Sequence, residues 1–223
     1  MKISLDASFA KTSSQVAPWP KRVEPNPLQV LLFGKRPPRL VDARQHPRLK
    51  KAFRKLQTAK EQLADALGAH ERQFSLALCE GDNASINREG RIAFGVELLE
   101  AFERDDDFLV GVLAHEIGHR PWEWPKGDLS QLKAKALKTL YRDEEAKADR
   151  FAGRALADLG LSPDSLCAFL LRHERFEKGD GGEYYPSAVR VQMIRDAFRR
   201  RKRAIETGAK WNPRILERAR DLR

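Results

Sequence analysis

Two histidines and a glutamate lie within five residues of one another in the segment VLAHEIGH, residues 112–119. Residues four apart on a helix have Cβ atoms about 5 to 6 Å apart, so His115 and His119 can both reach one zinc ion at about 2.0 to 2.1 Å. Glu116 projects about 100° further round the helix, where its carboxylate can take a proton from a zinc-activated water instead of binding the metal. The HExxH spacing therefore predicts a hydrolytic metal site.

The residues around this motif favour a buried helix over a solvated one. They are apolar on most sides of a helix, and such a helix belongs in a protein core: Phe108, Leu109, Val110, Val112, Leu113, Ala114 and Ile117. Buried imidazoles and carboxylates need partners. Gly118 costs about 1 kcal/mol of helix propensity relative to alanine, which indicates that another part of the chain approaches the backbone closely there.

A catalytic zinc site usually has three protein ligands, so a third must come from elsewhere in the chain. The segment 141–156 combines strong helix formers with Glu145, Asp149 and small residues that permit close helix packing. A helix there would lay Glu145 against the two histidines, and Asp149, one turn along, would hydrogen-bond a ligand imidazole. On charge alone, however, the alternative that these acids pair with neighbouring basic residues on a wet face is favoured.

Several segments together resemble the gluzincin metallopeptidases of the HtpX and CAAX prenyl protease family. In that family an ExxxD helix follows the HExxH helix and its Glu is the third zinc ligand, a pattern that falls here on Glu145 and Asp149. Residues 150–170 are similar to the stretch that follows, and residues 83–99 resemble a hairpin in which an Asn-Ala dipeptide precedes a strand ending in a leucine pair. The collinear match spans about residues 48–195. It implies Zn²⁺ on His115, His119 and Glu145, with Glu116 as general base.

Two further sets of site residues follow from this resemblance. The family's downstream His-Pro and Arg element falls on Tyr185, Pro186 and Arg190, with Tyr185 where the family usually has His. Either Tyr185 or Arg190 is a candidate to stabilise the oxyanion, and loop packing or a structural ion pair is the equal alternative. The strand nearest the metal in such folds pairs with extended peptide substrate, which predicts a substrate-binding rim of Arg91, Ile92, Ala93, Phe94 and Gly95.

The predicted fold class is α+β: a zincin-like domain, mostly helical, with a small sheet beside the HExxH helix. We expect a Pro-rich N-terminal arm over residues 1–45, with one strand near residues 28–33, the metallopeptidase domain over 46–195 and a basic helical extension over 196–223. Helical spacing predicts the first domain helix from His46 to Leu67, with Gly68 as its cap. Strands are predicted from Phe74 to Cys79 and from Arg91 to Phe94.

The charge and the apolar segments of the chain bear on its partners and location. No stretch approaches the roughly 18 apolar residues that span a bilayer, and no signal peptide is visible. Cys79 and Cys167 are expected to be reduced, so a cytoplasmic location is predicted. The net charge of +10 and the basic run 199–203 invite nucleic-acid binding. Because no recognised nucleic-acid motif accompanies them, we predict it as an accessory property at most.

The sequence therefore predicts a zinc metalloendopeptidase acting on protein or peptide substrates. One alternative is a regulatory metalloprotease resembling the ImmA/IrrE group, which also pairs HExxH with a later acidic ligand. The other is a non-catalytic metal-binding module that keeps the fold, against which the intact Glu116 argues. The sequence does not indicate the substrate, the cleavage preference or the oligomeric state.

Overall fold

The computed structural model describes residues 38–67, 73–124, 129–173 and 184–208. Six α-helices and one small sheet form this part of the chain, which confirms the predicted α+β class with a helical majority. The helices are α1 (Lys50–Ala66), α2 (Val96–Ala101), α3 (Asp106–Gly118), α4 (Ala134–Asp158), α5 (Asp164–His173) and α6 (Ser187–Glu206). The strands are β1 (Leu40–Val41), β2 (Ser75–Cys79), β3 (Ala84–Ile86) and β4 (Arg91–Gly95).

The first helix begins later than its sequence pattern predicts. Two short 3₁₀ turns, Ala43–Gln45 and Pro47–Leu49, precede α1. Pro47 opens the second turn, since its missing N–H is tolerated only at the start of a helix. Leu56 and Leu63 are fully buried at a spacing of two turns, so the predicted apolar face is the one that packs into the core. Gly68 lies outside the described residues.

The sheet has the strand order β1-β2-β4-β3. β2 runs parallel to β4, and β3 and β1 pair antiparallel with β4 and β2 respectively. Both predicted strands are present, but the strand after the Asn-Ala dipeptide ends at Gly95 and not at the leucine pair. Leu98 and Leu99 lie in α2 and are both buried. A helix can turn two consecutive residues towards one core, whereas a strand sends them to opposite faces.

Close backbone approaches stack the helices behind the sheet. α3 is apolar nearly all round, and Asp105 caps its start by accepting a hydrogen bond from the Phe108 N–H at 2.9 Å. A Cβ on Gly118 would come within 2.9 Å of Ala148 Cα, so this glycine permits α3 to touch α4. Gly153 plays the same part between α4 and α6, because a Cβ there would lie 2.2 Å from the carbonyl oxygen of Ile194.

The structure bears on the predicted domain limits at two points. The arm predicted over residues 1–45, with its strand near 28–33, falls mostly outside the described residues. At the other end, α6 runs through the predicted boundary between residues 195 and 196, so a single helix crosses it. Among the residues that the structure describes, no helix is both long and apolar enough to cross a membrane.

Candidate metal centre

The HExxH motif occupies the last turn of α3. His115 lies within the helix and His119 caps its C-terminal end. Their ring centroids lie 4.9 Å apart with the ring planes at 86°, so both imidazoles project from one face as the four-residue spacing predicts. The side chain of His115 is 14% exposed and that of His119 only 4%. Both side chains are therefore largely screened from bulk water.

Glu145 on α4 faces both imidazoles. Its Oε2 lies 3.3 Å from His115 Nε2 and its Oε1 lies 3.7 Å from His119 Nε2. Two ligands of one tetrahedral zinc ion, with bonds of about 2.0 to 2.2 Å, lie roughly 3.3 to 3.6 Å apart. One donor atom from each of the three residues lies within 4.8 Å of the others. The spacing and the N,N,O donor set therefore fit a divalent metal ion.

Asp149 and Arg190 hold the candidate ligands in place. Asp149 Oδ1 lies 3.1 Å from His115 Nδ1, which leaves Nε2 of that ring free to bind a metal. Arg190, on α6, donates from Nε to Asp149 Oδ2 at 2.8 Å and from Nη2 to Glu145 Oε2 at 3.2 Å. One guanidinium thus ties both carboxylates to a third helix.

The surroundings of the two histidines shift their pKa values in opposite directions. Burial alone would lower the pKa of His115, but hydrogen bonds and charge interactions with Asp149 and Glu145 raise it to about 10. Burial lowers the pKa of His119 to about 4. For Glu145, the hydrogen bond with His115 and the charges of Arg190 and His115 overcome burial and lower the pKa well below its usual range. The site therefore holds an ionised carboxylate and a neutral His119, the forms that bind metal.

Glu116 lies beside the three donors and is not one of them. Its residue is 7% exposed. Burial raises its pKa to about 7, although a hydrogen bond with the backbone of Ile86 and the charge of Arg190 oppose the rise. A carboxylate with a pKa near neutrality is suited to accept and return a proton at physiological pH.

Comparison with known proteins supports the same chemistry. Residues 50–121 match the model of Peptidase family M48. This M48-matching segment contains α1, the strands β2 to β4 and the whole HExxH helix, and it ends before α4. The chain has no match among curated proteins. The match supports a metallopeptidase family, while the contact of Glu145 with the histidines is seen only in the geometry.

The two tyrosines downstream of the M48-matching segment lie in different surroundings. Tyr185, the predicted oxyanion residue, has its ring 5.7 Å from the guanidinium carbon of Arg142. Tyr184 lies beside Arg190, with its ring 5.5 Å from the guanidinium carbon of that residue. Tyr141 on α4 hydrogen-bonds the Tyr184 hydroxyl at 2.5 Å. The sequence had no signal for this choice, because adjacent loop residues have no periodicity that fixes their direction.

The sheet corrects the predicted substrate-binding rim. Arg91, Ile92, Ala93, Phe94 and Gly95 form β4, which is hydrogen-bonded to β2 on one side and to β3 on the other. β4 therefore cannot pair with a substrate strand. The outer strand on the side of the HExxH helix is β3, whose Ile86 backbone meets Glu116. Two strands were predicted from sequence, Phe74 to Cys79 and Arg91 to Phe94. The additional strand β3 lies outside β4 and places β4 within the sheet.

Proposed function

We propose that this protein is a zinc-dependent metalloendopeptidase in which His115, His119 and Glu145 hold the ion and Glu116 is the general base. The observation that carries the proposal is the convergence of these three donors on one point beside a buried glutamate, within and next to the M48-matching segment. Zinc held there would supply a Lewis acid that polarises the scissile carbonyl and makes water acidic enough to attack near neutral pH.

Glu116 is the group that moves protons in this scheme. Its carboxylate takes a proton from the attacking water, and the same group then donates that proton to the leaving amine nitrogen. The pKa of about 7 lets one residue perform both steps. The Ile86 backbone hydrogen bond keeps the carboxylate directed towards the site, so Glu116 does not need to reorganise between them.

Asp149 and Arg190 are positioning residues in this proposal. Asp149 fixes the ring orientation of His115, and Arg190 fixes both acidic side chains. The Nε and Nη2 atoms of Arg190 donate to these carboxylates. We therefore assign Arg190 a role in positioning the ligands and not in stabilising the oxyanion. The oxyanion role of Tyr185 stays a prediction. Tyr185→Phe and Tyr184→Phe form a matched pair for testing it, since each removes one hydroxyl, and the variant with the lower kcat identifies the donor.

We propose that a substrate peptide binds in extended form along β3. The Asn87 N–H donates to the Arg91 carbonyl and the Gly95 N–H donates to the Asn83 carbonyl, so residues 83 and 87 face β4. Backbone groups alternate in direction along an antiparallel strand, and those of Ala84 and Ile86 therefore face the outer side. Because the Ile86 N–H bonds Glu116, a substrate would pair with the N–H and carbonyl of Ala84 and with the carbonyl of Ile86. Main-chain pairing there would position a scissile bond beside Glu116 with little dependence on the side-chain sequence of the substrate.

The two cysteines bear on the location of the protein. Cys79 and Cys167 are free and buried, which fits a reducing compartment such as the cytoplasm.

The test is cleavage of an unstructured protein by wild type and Glu116→Gln, with bound zinc measured in both. Glutamine keeps the size of the side chain and removes the base. The proposal predicts equal zinc content and a loss of kcat of at least about 100-fold, because general-base catalysis contributes roughly 10² to 10⁴. Equal cleavage by both proteins would remove Glu116 from the mechanism. Zinc binding without any cleavage would favour a metal-binding module.

A further inference from the structure

Five arginines lie near one another on and beside α4, in a group that the proposed chemistry does not use. The charges of Arg120, Arg150 and Arg200 act on Arg154. Arg201 pairs with Asp158, whose charge also acts on Arg154. Arg150 and Arg154 lie one turn apart on α4. Arg150 directly follows Asp149, so the two arginines point about 100° round the helix from that residue. The other members come from α6 and from the residue after His119. We call the group the arginine cluster: Arg120, Arg150, Arg154, Arg200 and Arg201.

Arg154 is the centre of this cluster. It is partly buried, and its Nε donates to no acceptor in the described protein. Burial and the charges of Arg120, Arg150 and Arg200 lower its pKa to about 10, against the opposing charge of Asp158. Guanidinium groups stay protonated in proteins, so the cluster retains its positive charge at neutral pH.

Too few carboxylates lie near the cluster to neutralise it. Asp158 Oδ1 pairs with Arg201 at 2.7 Å, and Arg120 pairs with Glu123 at 3.1 Å. Within the described residues, Arg150, Arg154 and Arg200 make no ion pair. Arg200 is exposed, but Arg150 and Arg154 are half-buried. Partly buried charge without an ion pair reduces the stability of a folded protein, so these two arginines do not stabilise the fold through their charge.

The backbone at Arg120 adds a second unfavourable feature. Arg120 has φ of 44°, and it is the one non-glycine residue with positive φ in the described part of the chain. Pro121 follows Arg120. The guanidinium carbon of Arg120 lies 5.9 Å from the ring centre of Phe151. Backbone strain of this kind costs stability and is found mainly at functional sites. The strained residue directly follows the ligand His119.

We infer that the arginine cluster is an anion site that binds a phosphate group, separate from the metal centre and one residue away from the ligand His119. Guanidinium groups present paired N–H donors at the spacing of phosphate oxygens. A doubly charged phosphate would offset two of the three charges on Arg150, Arg154 and Arg200 and would accept a hydrogen bond from the free Nε–H of Arg154. The phosphate can be free in solution or part of a nucleotide, because the cluster recognises the group and not its substituent.

The test measures binding of pyrophosphate, inorganic phosphate and AMP to the full chain by calorimetry at constant ionic strength. Three variants are compared with wild type. Arg154→Lys keeps the positive charge but loses the paired N–H donors of the guanidinium group, and Arg154→Met removes both. Arg54→Met removes one exposed arginine on α1 and is the charge-matched control. We expect saturable binding to wild type and to Arg54→Met. Affinity falls at least roughly tenfold in Arg154→Met and by a smaller factor in Arg154→Lys.

Thermal unfolding distinguishes a binding role from a structural one. Without ligand, Arg154→Met should have a Tm equal to or above that of wild type, because the substitution removes a half-buried guanidinium that makes no ion pair in the described residues. Pyrophosphate should raise the Tm of wild type and not that of Arg154→Met. Tighter binding of AMP than of phosphate would indicate a nucleotide, and the reverse would indicate free phosphate. Absence of binding to wild type, or equal affinity in Arg154→Lys, Arg154→Met and the control, would overturn the inference.

Discussion

Gly118→Ala is the change that most directly tests how the two helices build the metal centre. The added Cβ would lie 2.9 Å from Ala148 Cα and 2.9 Å from Phe151 Cβ, about 0.5 Å inside ordinary contact for such atoms. Ala148 is a backbone neighbour of Asp149, so α4 can relieve the clash only by moving away from α3. Glu145 would move with it.

The stability change and the metal-affinity change have different expected sizes. Alanine gains about 1 kcal/mol of helix propensity over glycine, whereas overpacking a core costs about 1 to 3 kcal/mol. The net loss is therefore about 1 kcal/mol, and at roughly 2 to 4 °C per kcal/mol for a domain of this size the Tm falls only slightly. Ligand distances in a working zinc site are held to about 0.2 Å. A displacement of about 0.5 Å should thus weaken zinc binding by roughly 10- to 100-fold.

The assay is zinc affinity by competition with a chelator, with Tm measured on the same samples. Gly111→Ala is the matched control, because it places the same methyl group in the same helix against the flexible side chains of Leu166 and Leu156, at 3.3 Å and beyond. It should keep wild-type zinc affinity. Wild-type affinity in Gly118→Ala as well would refute the argument that close backbone approach sets the ligand geometry.

Three other outcomes follow from the structure. Gly153→Ala should unfold at a clearly lower temperature than Gly118→Ala in a thermal melt, because its Cβ would meet the backbone oxygen of Ile194 at 2.2 Å, and an equal Tm would contradict that packing. Zinc binding at pH 8 should release close to one proton, seen as a buffer-dependent heat in calorimetry, because His115 with a pKa of about 10 is protonated before the metal displaces its proton. A buffer-independent heat would show that His115 is neutral. Thiol reagents at pH 8 should leave Cys79 and Cys167 unmodified until denaturant is added, since burial raises the pKa of both and that of Cys79 to about 12; rapid labelling of the native protein would contradict their burial.

The local part of the site was predictable because helix periodicity fixes it. The spacing of His115 and His119 determines that both rings share one face, and the apolar flanks determine that this face is buried. Gly118 is unfavourable in a helix and therefore indicated a close neighbour, which the approach of Ala148 confirms. Each of these inferences depends only on interactions within one helix or on the presence of a neighbour in direct contact with that helix.

The remainder depended on contacts between elements far apart in sequence. Glu145 lies 26 residues beyond His119, and charge alone favoured an exposed ion pair for it. Only the family resemblance predicted it as a ligand, and the structure places it against the motif. The position of β4 inside the sheet follows from strand order, which no pattern within residues 91–95 encodes. Tyr184, and not Tyr185, lies beside Arg190 because of the direction in which a loop enters α6.

Zinc content of wild type, Glu145→Gln and Glu144→Gln tests the central claim most directly. The two glutamates are adjacent and similarly buried, but Glu144 pairs with Lys147 at 2.6 Å and Glu145 faces the histidines. Elemental analysis after dialysis should find about one zinc per chain in wild type and in Glu144→Gln, and far less in Glu145→Gln. Full zinc retention in Glu145→Gln, or equal loss in both variants, would contradict the ligand set on which the account depends.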